Sequence, residues 1–307
     1  MTIKKILNTF KKKALNKKIN FDDLLLSLGQ IQSKLNLNLK KKNINDYEFK
    51  AFSQWGEDGI IDFLTSNLEI ENKTFIEFGV ENYEEANTKF LLLNKNWSGF
   101  IIDSSIKNIN SIRNSEIFWK YSLEAVCHFI TKENINQIIE SSKFKKNIGI
   151  LSIDLDGNDY WIWKEINVID PAIVIIEYNA RLGKKKSLVV PYDKNFQRKE
   201  KHYSMIYYGA SIQALTKLGK KKGYALVCCN KAGNNAFFVK KEYMKYLSIN
   251  EVDLSNLEHF TNANYRESKN QKGELLYLNP EKNLEFIREC EVFDIIRNKN
   301  CMIKDII

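Results

Sequence analysis

Residues 149–161 read GILSIDLDGNDYW. An apolar run from Ile148 to Ile153, broken only by Gly149 and Ser152, gives way to Asp154, Asp156 and Asp159 around Gly157 and Asn158. A short, nearly all-apolar run reads as a strand buried on both faces, the pattern of a parallel sheet. Ligands of such sheets bind beyond the carboxyl ends of the strands. Three carboxylates at one strand end therefore need an account. A calcium loop, a phosphatase nucleophile and a small-molecule transferase site each offer one.

The same alternation extends in both directions. AFSQWGEDGIIDFLTSNL (51–68) reads as an amphipathic helix and TFIEFG (74–79) as a buried strand. Residues 83–95 read as a helix, WSGFIID (97–103) as the second strand and EIFWKYSL (116–123) as a weaker third. A helix is expected from Thr131, a good N-cap residue. The fourth strand runs into DYWIWKEI (159–166), a short helix, and PAIVIIEY (171–178) is the fifth strand. SIQALTKLGKKKG (211–223) is a helix with lysines in its last turn and Gly223 as its C-cap. YALVCCN and NAFFV form a hairpin across KAGN, so one strand of the sheet is antiparallel. The expected class is α/β, a mostly parallel sheet covered by helices on both faces.

Three parts are expected along the chain. Residues 1–45 form a basic helical extension, 46–240 the main domain and 241–307 a C-terminal helical addition. The net charge of +9 sits in the first part: residues 1–42 hold eleven lysines and two aspartates, and the rest balances. A neutral body argues against a broad nucleic-acid groove. In residues 1–18, Ile3, Ile6, Leu7, Phe10 and Ala14 recur at helical spacing among lysines. That pattern suits a helix lying on an anionic membrane surface, or a plain solvated lead-in helix. FDDLLLSLGQIQSKLNLN (21–38) is a second helix and a candidate contact in a homo-oligomer. Five cysteines without CxxC spacing suggest reduced thiols. No secretory signal pattern and no run of ~20 apolar residues is present. A cytoplasmic protein is expected, peripheral to the inner membrane face if the tail binds there.

Four strands end in acids: Glu77, Asp103, Asp154 with Asp156, and Glu177. Together they propose a cleft lined with carboxylates. Glu77-Phe-Gly79-Val-Glu81 is a strand followed by a glycine turn, a common way to bring backbone close to a ligand. Asp103, followed by Ser104, is placed to take both hydroxyls of a ribose. A dinucleotide fold would need GxGxxG, whereas here only Gly79 is present and Glu81, Glu84 and Glu85 would repel phosphate. A ribose ligand without phosphates and with positive charge fits better. S-adenosylmethionine is one such ligand, though not the only one.

FSQWGEDGII, FIEFGVENYEEANTKFLL, WSGFIIDSS, LSIDLDGNDYWIW, IVIIEYN, YYGASIQAL and GYALVCCNKAGNNAFFV resemble the FkbM-type class I S-adenosylmethionine-dependent methyltransferases, in particular a bacterial branch associated with surface polysaccharides. The resemblance covers roughly residues 50–240. It implies a seven-stranded Rossmann-like sheet closing on the hairpin. It also implies methyl transfer to an oxygen of a sugar or sugar-nucleotide, in capsule or lipopolysaccharide synthesis. Glu77, Gly79 and Glu81 match the family's first motif, Asp103 its ribose-binding acid and Asp154 its acid after strand four. The usual ExGxGxG turn is reduced to EFGVENY, with Glu81 and Tyr83 in place of the later glycines.

An EF-hand needs glycine at position six and glutamate at twelve; counted from Asp154 the glycine comes at position four, and Trp161 and Trp163 follow. A DxDG phosphatase would make Asp154 a nucleophile, but a Ser or Thr is expected after the next strand, where Glu177-Tyr-Asn179 stands. The remaining reading joins two strand ends. Adjacent strands lie ~4.8 Å apart, so Asp154, Asp156, Glu177 and Asn179 could converge on Mg²⁺ or another divalent cation through oxygen ligands. Such a cation lowers the pKa of an acceptor hydroxyl; a plain general base is the alternative. Asp159 is expected only to cap the following helix. His202, in the long segment after strand five, is a further candidate base. A methyltransferase-like glycan-binding module that has lost its cofactor is the rival outside catalysis.

Overall fold

The computed structural model describes residues 21–39, 41, 43–254 and 262–306. Its centre is a seven-stranded sheet of β1 (Thr74–Phe78), β2 (Ser98–Asp103), β3 (Leu123–Cys127), β4 (Lys146–Ile153), β5 (Ile169–Glu177), β7 (Tyr224–Cys229) and β8 (Asn235–Lys240). β6 (Leu188–Val189) lies outside it. The order is β3-β2-β1-β4-β5-β8-β7, parallel throughout except for β8. This is a Rossmann-like α/β fold of the expected class. The chain leaves β1 toward β2 and β3, then crosses back to β4 on the other side of β1. The carboxyl ends of β1 and β4 thus flank the topological switch point, where ligands of open α/β sheets bind.

Burial on both faces explains the apolar runs. In β5, Val174 and Ile176 enter one core layer with helices Ile135–Ser141, Asp159–Glu165 and Ile212–Lys222. Ile173 and Ile175 enter the other, with helices Glu57–Asn67, Lys89–Lys95 and Ile106–Arg113. Alternate side chains of one strand therefore both need apolar character.

Several expected boundaries differ. The first helix of the domain starts at Glu57, not at residue 51, because the Asp58 carboxylate accepts the N–H groups of Ala51, Phe52 and Ser53 and folds 51–56 into a loop. Residues 83–88 form a turn, and the helix begins at Lys89. EIFWK is a short helix (Glu116–Lys120), and the third strand is LEAVC at 123–127, where the backbone pairs with β2. The helix after Thr131 starts at Ile135. Among its described residues the C-terminal part contains one α-helix, Pro280–Phe286, but also a hairpin, β9 (Glu291–Asp294) and β10 (Lys299–Met302). The hairpin pairs with β6 in a separate antiparallel sheet. Leu188, Val190, Ile206, Tyr208, Ile287, Val292 and Ile303 form the core beneath it. A purely helical reading of 241–307 missed this because each strand is only four residues long. The expected helix at 21–38 is present at Phe21–Leu37, whereas the amphipathic segment at 1–18 lies outside the described residues. No described helix is long and apolar enough to cross a membrane, and none of the five cysteines is in a disulfide.

Trp163, fully buried on the helix that follows the aspartate turn, packs against Phe238 and Tyr224. Trp163→Ala is expected to cost about 3–5 kcal/mol, the usual range for emptying a buried aromatic site. Urea unfolding with an unchanged m-value would check it.

Candidate functional site

Gly79 terminates β1 with φ +71, and a Cβ there would sit 1.8 Å from the Asp154 carbonyl oxygen. Only glycine lets the ends of β1 and β4 approach this closely. Around that contact opens a cavity of about 710 Å³. All four strand-end acid groups reach it: Glu77, Asp103, Asp154 with Asp156, and Glu177.

One half of the cavity is built on β1 and β2. Glu81 and Tyr83, which stand where glycines were expected, have φ +47 and +62. The left-handed turn is therefore kept without glycine, at a conformational cost the surrounding contacts must offset. Asp103 holds this turn. One carboxylate oxygen accepts the Glu81 N–H (2.9 Å); the other accepts the Ser105 N–H (2.8 Å) and the Asn108 side-chain N–H (3.2 Å). Ser104 lines the cavity beside it, and His128, Phe129 and Ile130 form the next wall. Glu77 acts differently. Its carboxylate is buried and accepts the N–H groups of Asn87 and Thr88, the Thr88 hydroxyl and the Ser152 hydroxyl. Burial raises its pKa against those hydrogen bonds. It ties the loop after β1 to the strand, and so positions the cavity wall.

The other half is acidic. One oxygen each of Asp154, Asp159 and Glu177 lie within 4.8 Å of one another. Glu177 is 94% buried by its 6% exposure, and its Oε2 has no hydrogen-bond partner. Burial raises the Asp154 and Glu177 pKa values well above their ordinary values; repulsion from Asp156 and Asp159 adds to it at both, and repulsion from Asp154 adds to it at Glu177. Asp159, fully buried, is pushed up to about 6 by burial. Its two oxygens accept the Leu155 and Gly157 N–H groups, so it does shape the turn, and it also joins the cluster.

The expected cation set changes accordingly. Asp156 is exposed, has φ +54 and turns to the Arg198 guanidinium at 2.7 Å. Asn179 is fully buried, and its amide is committed to structure: it donates to the Ile206 and Tyr208 carbonyls and accepts the Arg181 N–H. Asp154 and Glu177 remain, and Asp159 replaces the other two. His202 does not line the cavity; its Nδ1 meets the Ser204 hydroxyl, its ring stacks on Tyr203, and burial lowers its pKa. From the same segment Arg198 reaches the cavity instead, lying over the Tyr208 ring and pairing with Asp156 and Glu267. Trp55, on the loop at 51–56, stacks on Tyr265 at the rim with ring centres 5.6 Å apart. Arg198, Tyr265 and Glu267 lie far from the acids in sequence, and no local pattern marks them.

No family model matches the chain, and no curated protein matches it. Solved structures similar to it include an S-adenosylmethionine-dependent methyltransferase from Clostridium acetobutylicum (12% identity, 69% of this chain and 97% of that one, TM-score 0.36). They also include the O-methyltransferase from Bacillus cereus in complex with S-adenosylhomocysteine (12%, 76% and 94%, TM-score 0.36) and the N-terminal domain of EvdMO1 with S-adenosylhomocysteine bound (10%, 69% and 94%, TM-score 0.40). At these scores the likenesses carry no weight of their own, and the fold stands on its strand order.

The acid cluster sets a pH dependence. Glu177 has a folded pKa above its unfolded value, so it binds its proton more tightly in the folded state. Stability from this group rises as pH falls through the folded pKa and is lost as pH rises. Glu177→Gln is therefore expected to raise Tm by a few degrees at pH 8 in chelator, with the gain shrinking toward pH 5. A lower Tm at pH 8 would contradict the raised pKa.

Proposed function

We propose that the protein is an S-adenosylmethionine-dependent methyltransferase that methylates an oxygen of a sugar or sugar-nucleotide. The observation that carries this reading is the Asp103 carboxylate at the end of β2, facing the same cavity as the left-handed turn and the acid cluster. The ribose hydroxyls would share Asp103, and the base would lie along Ser104, Phe129 and Ile130. Acids at Glu81 and Glu85 favour a ligand carrying ammonium and sulfonium charges over one carrying phosphates.

The acceptor would enter on the Asp154 side. When bound, S-adenosylmethionine would supply the methyl group to the acceptor hydroxyl oxygen and leave as the neutral thioether. The hydroxyl proton would have to leave, and Asp154 or Glu177 would take it. Their raised pKa values make them stronger bases than an exposed carboxylate. The orphaned Glu177 Oε2 and the spacing of the three acids also fit a divalent cation held by Asp154, Asp159 and Glu177. When bound, such an ion would lower the hydroxyl pKa. The Trp55–Tyr265 stack and the polar rim suit a polyhydroxylated acceptor. A role in surface-polysaccharide synthesis follows from the sequence resemblance alone.

Calorimetric titration with S-adenosylhomocysteine, with and without Mg²⁺, tests the reading. Wild type is expected to bind at micromolar affinity, and Asp103→Ala to lose at least about tenfold, as removal of a charged hydrogen-bond acceptor does. No binding by wild type in either condition would leave a binding module with a methyltransferase-like fold.

A further inference from the structure

Helix Phe21–Leu37 has two apolar sides. One packs on the body: Leu25 and Leu26 meet Phe52 and Phe90, and a Cβ on Gly29 would lie 2.6 Å from the Phe90 ring. The buried Lys89 ammonium pairs with Asp22 at 3.0 Å and pins the helix start. The other side carries Phe21, Leu24, Leu28, Ile31 and Leu35, exposed by 70, 47, 51, 54 and 54%. A contiguous apolar stripe of this kind marks an interaction surface.

The spacing says what fits it. These five residues are separated by three, four, three and four positions. A mean repeat of 3.5 is that of a left-handed coiled-coil seam, the a and d positions of a heptad. The sequence continues the same spacing upstream through Lys17, Ala14, Phe10, Leu7 and Ile3, with no Gly or Pro before Gly29. A turn that folded residues 1–16 back over the helix would not require that phase to be kept. On Phe21–Leu37 this phase places Phe21, Leu24, Leu28, Ile31 and Leu35 on one side, which the helix cannot cover for itself. Charge selects the direction. Residues 1–20 hold seven lysines and no acid, whereas 21–37 hold Asp22, Asp23 and one lysine. Parallel pairing would set lysine-rich segment against lysine-rich segment; antiparallel pairing sets each against the partner's acid-bearing helix.

We infer that a second copy of this chain covers this face, through an antiparallel coiled coil seamed by Phe21, Leu24, Leu28, Ile31 and Leu35. The test is light scattering during size-exclusion chromatography of the full chain at tens of micromolar. Wild type is expected at about twice its 35.9 kDa, and the Leu28→Glu/Ile31→Glu variant at the single-chain mass with Tm within a few degrees of wild type. A wild type of single-chain mass overturns the inference, whether residues 1–20 or an anionic vesicle surface then protects the seam. A variant that keeps the doubled mass overturns it too. A Leu35→Cys chain that oxidises to a covalent dimer beyond the wild-type background would overturn the antiparallel direction, because the two copies of residue 35 lie at opposite ends of an antiparallel seam and side by side only in a parallel one.

Discussion

The close approach of two strand ends organises the whole molecule. Gly79 leaves no room for a side chain against the Asp154 carbonyl, so β1 and β4 meet at the point where the chain reverses its direction across the sheet. The turn that follows Gly79 faces Asp103 from one side. The aspartate turn that follows β4 faces Glu177 from the other. A single cavity then receives groups from four strand ends and from two segments more than a hundred residues apart.

That cavity is held by interactions that weaken the fold. Three clustered carboxylates, two of them buried, repel one another, and Glu81, Tyr83 and Asp156 occupy backbone conformations that side chains disfavour. Stabilising elements surround them. Glu77 is saturated by four donors, Asp159 by two backbone N–H groups, and Trp163 anchors the helix behind the aspartate turn. The β6–β9–β10 sheet supports the segment that brings Arg198 over the acids. Strain and unsatisfied charge concentrated in one cleft, with a rigid frame around it, is the arrangement expected of a working site.

Much of this was legible in the sequence, for identifiable reasons. Strands buried on both faces leave continuous apolar runs, so β1, β2, β4, β5 and the closing hairpin stood out, and with them the acids at their ends. EIFWK misled because aromatic residues suit both strands and helices. The strand itself, LEAVC, carries a glutamate and a cysteine at partly exposed positions. Asn179 looked like a ligand because it follows a strand, and only the structure shows its amide spent on the Ile206 and Tyr208 carbonyls. Arg198 and His202 are four residues apart on one segment. Which of them faces the cavity depends on how β6 and the C-terminal hairpin hold that segment, and no local pattern encodes it.

The account's central claim is that the switch-point cavity takes the cofactor, with the reacting carbon delivered toward the acids. A crystal structure of the chain soaked with S-adenosylhomocysteine tests this most directly. The account predicts density with the ribose on Asp103 and the sulfur facing Asp154 and Glu177. Ligand density away from the Gly79–Tyr83 turn, or an unfilled cavity beside a fully occupied site elsewhere, would contradict it.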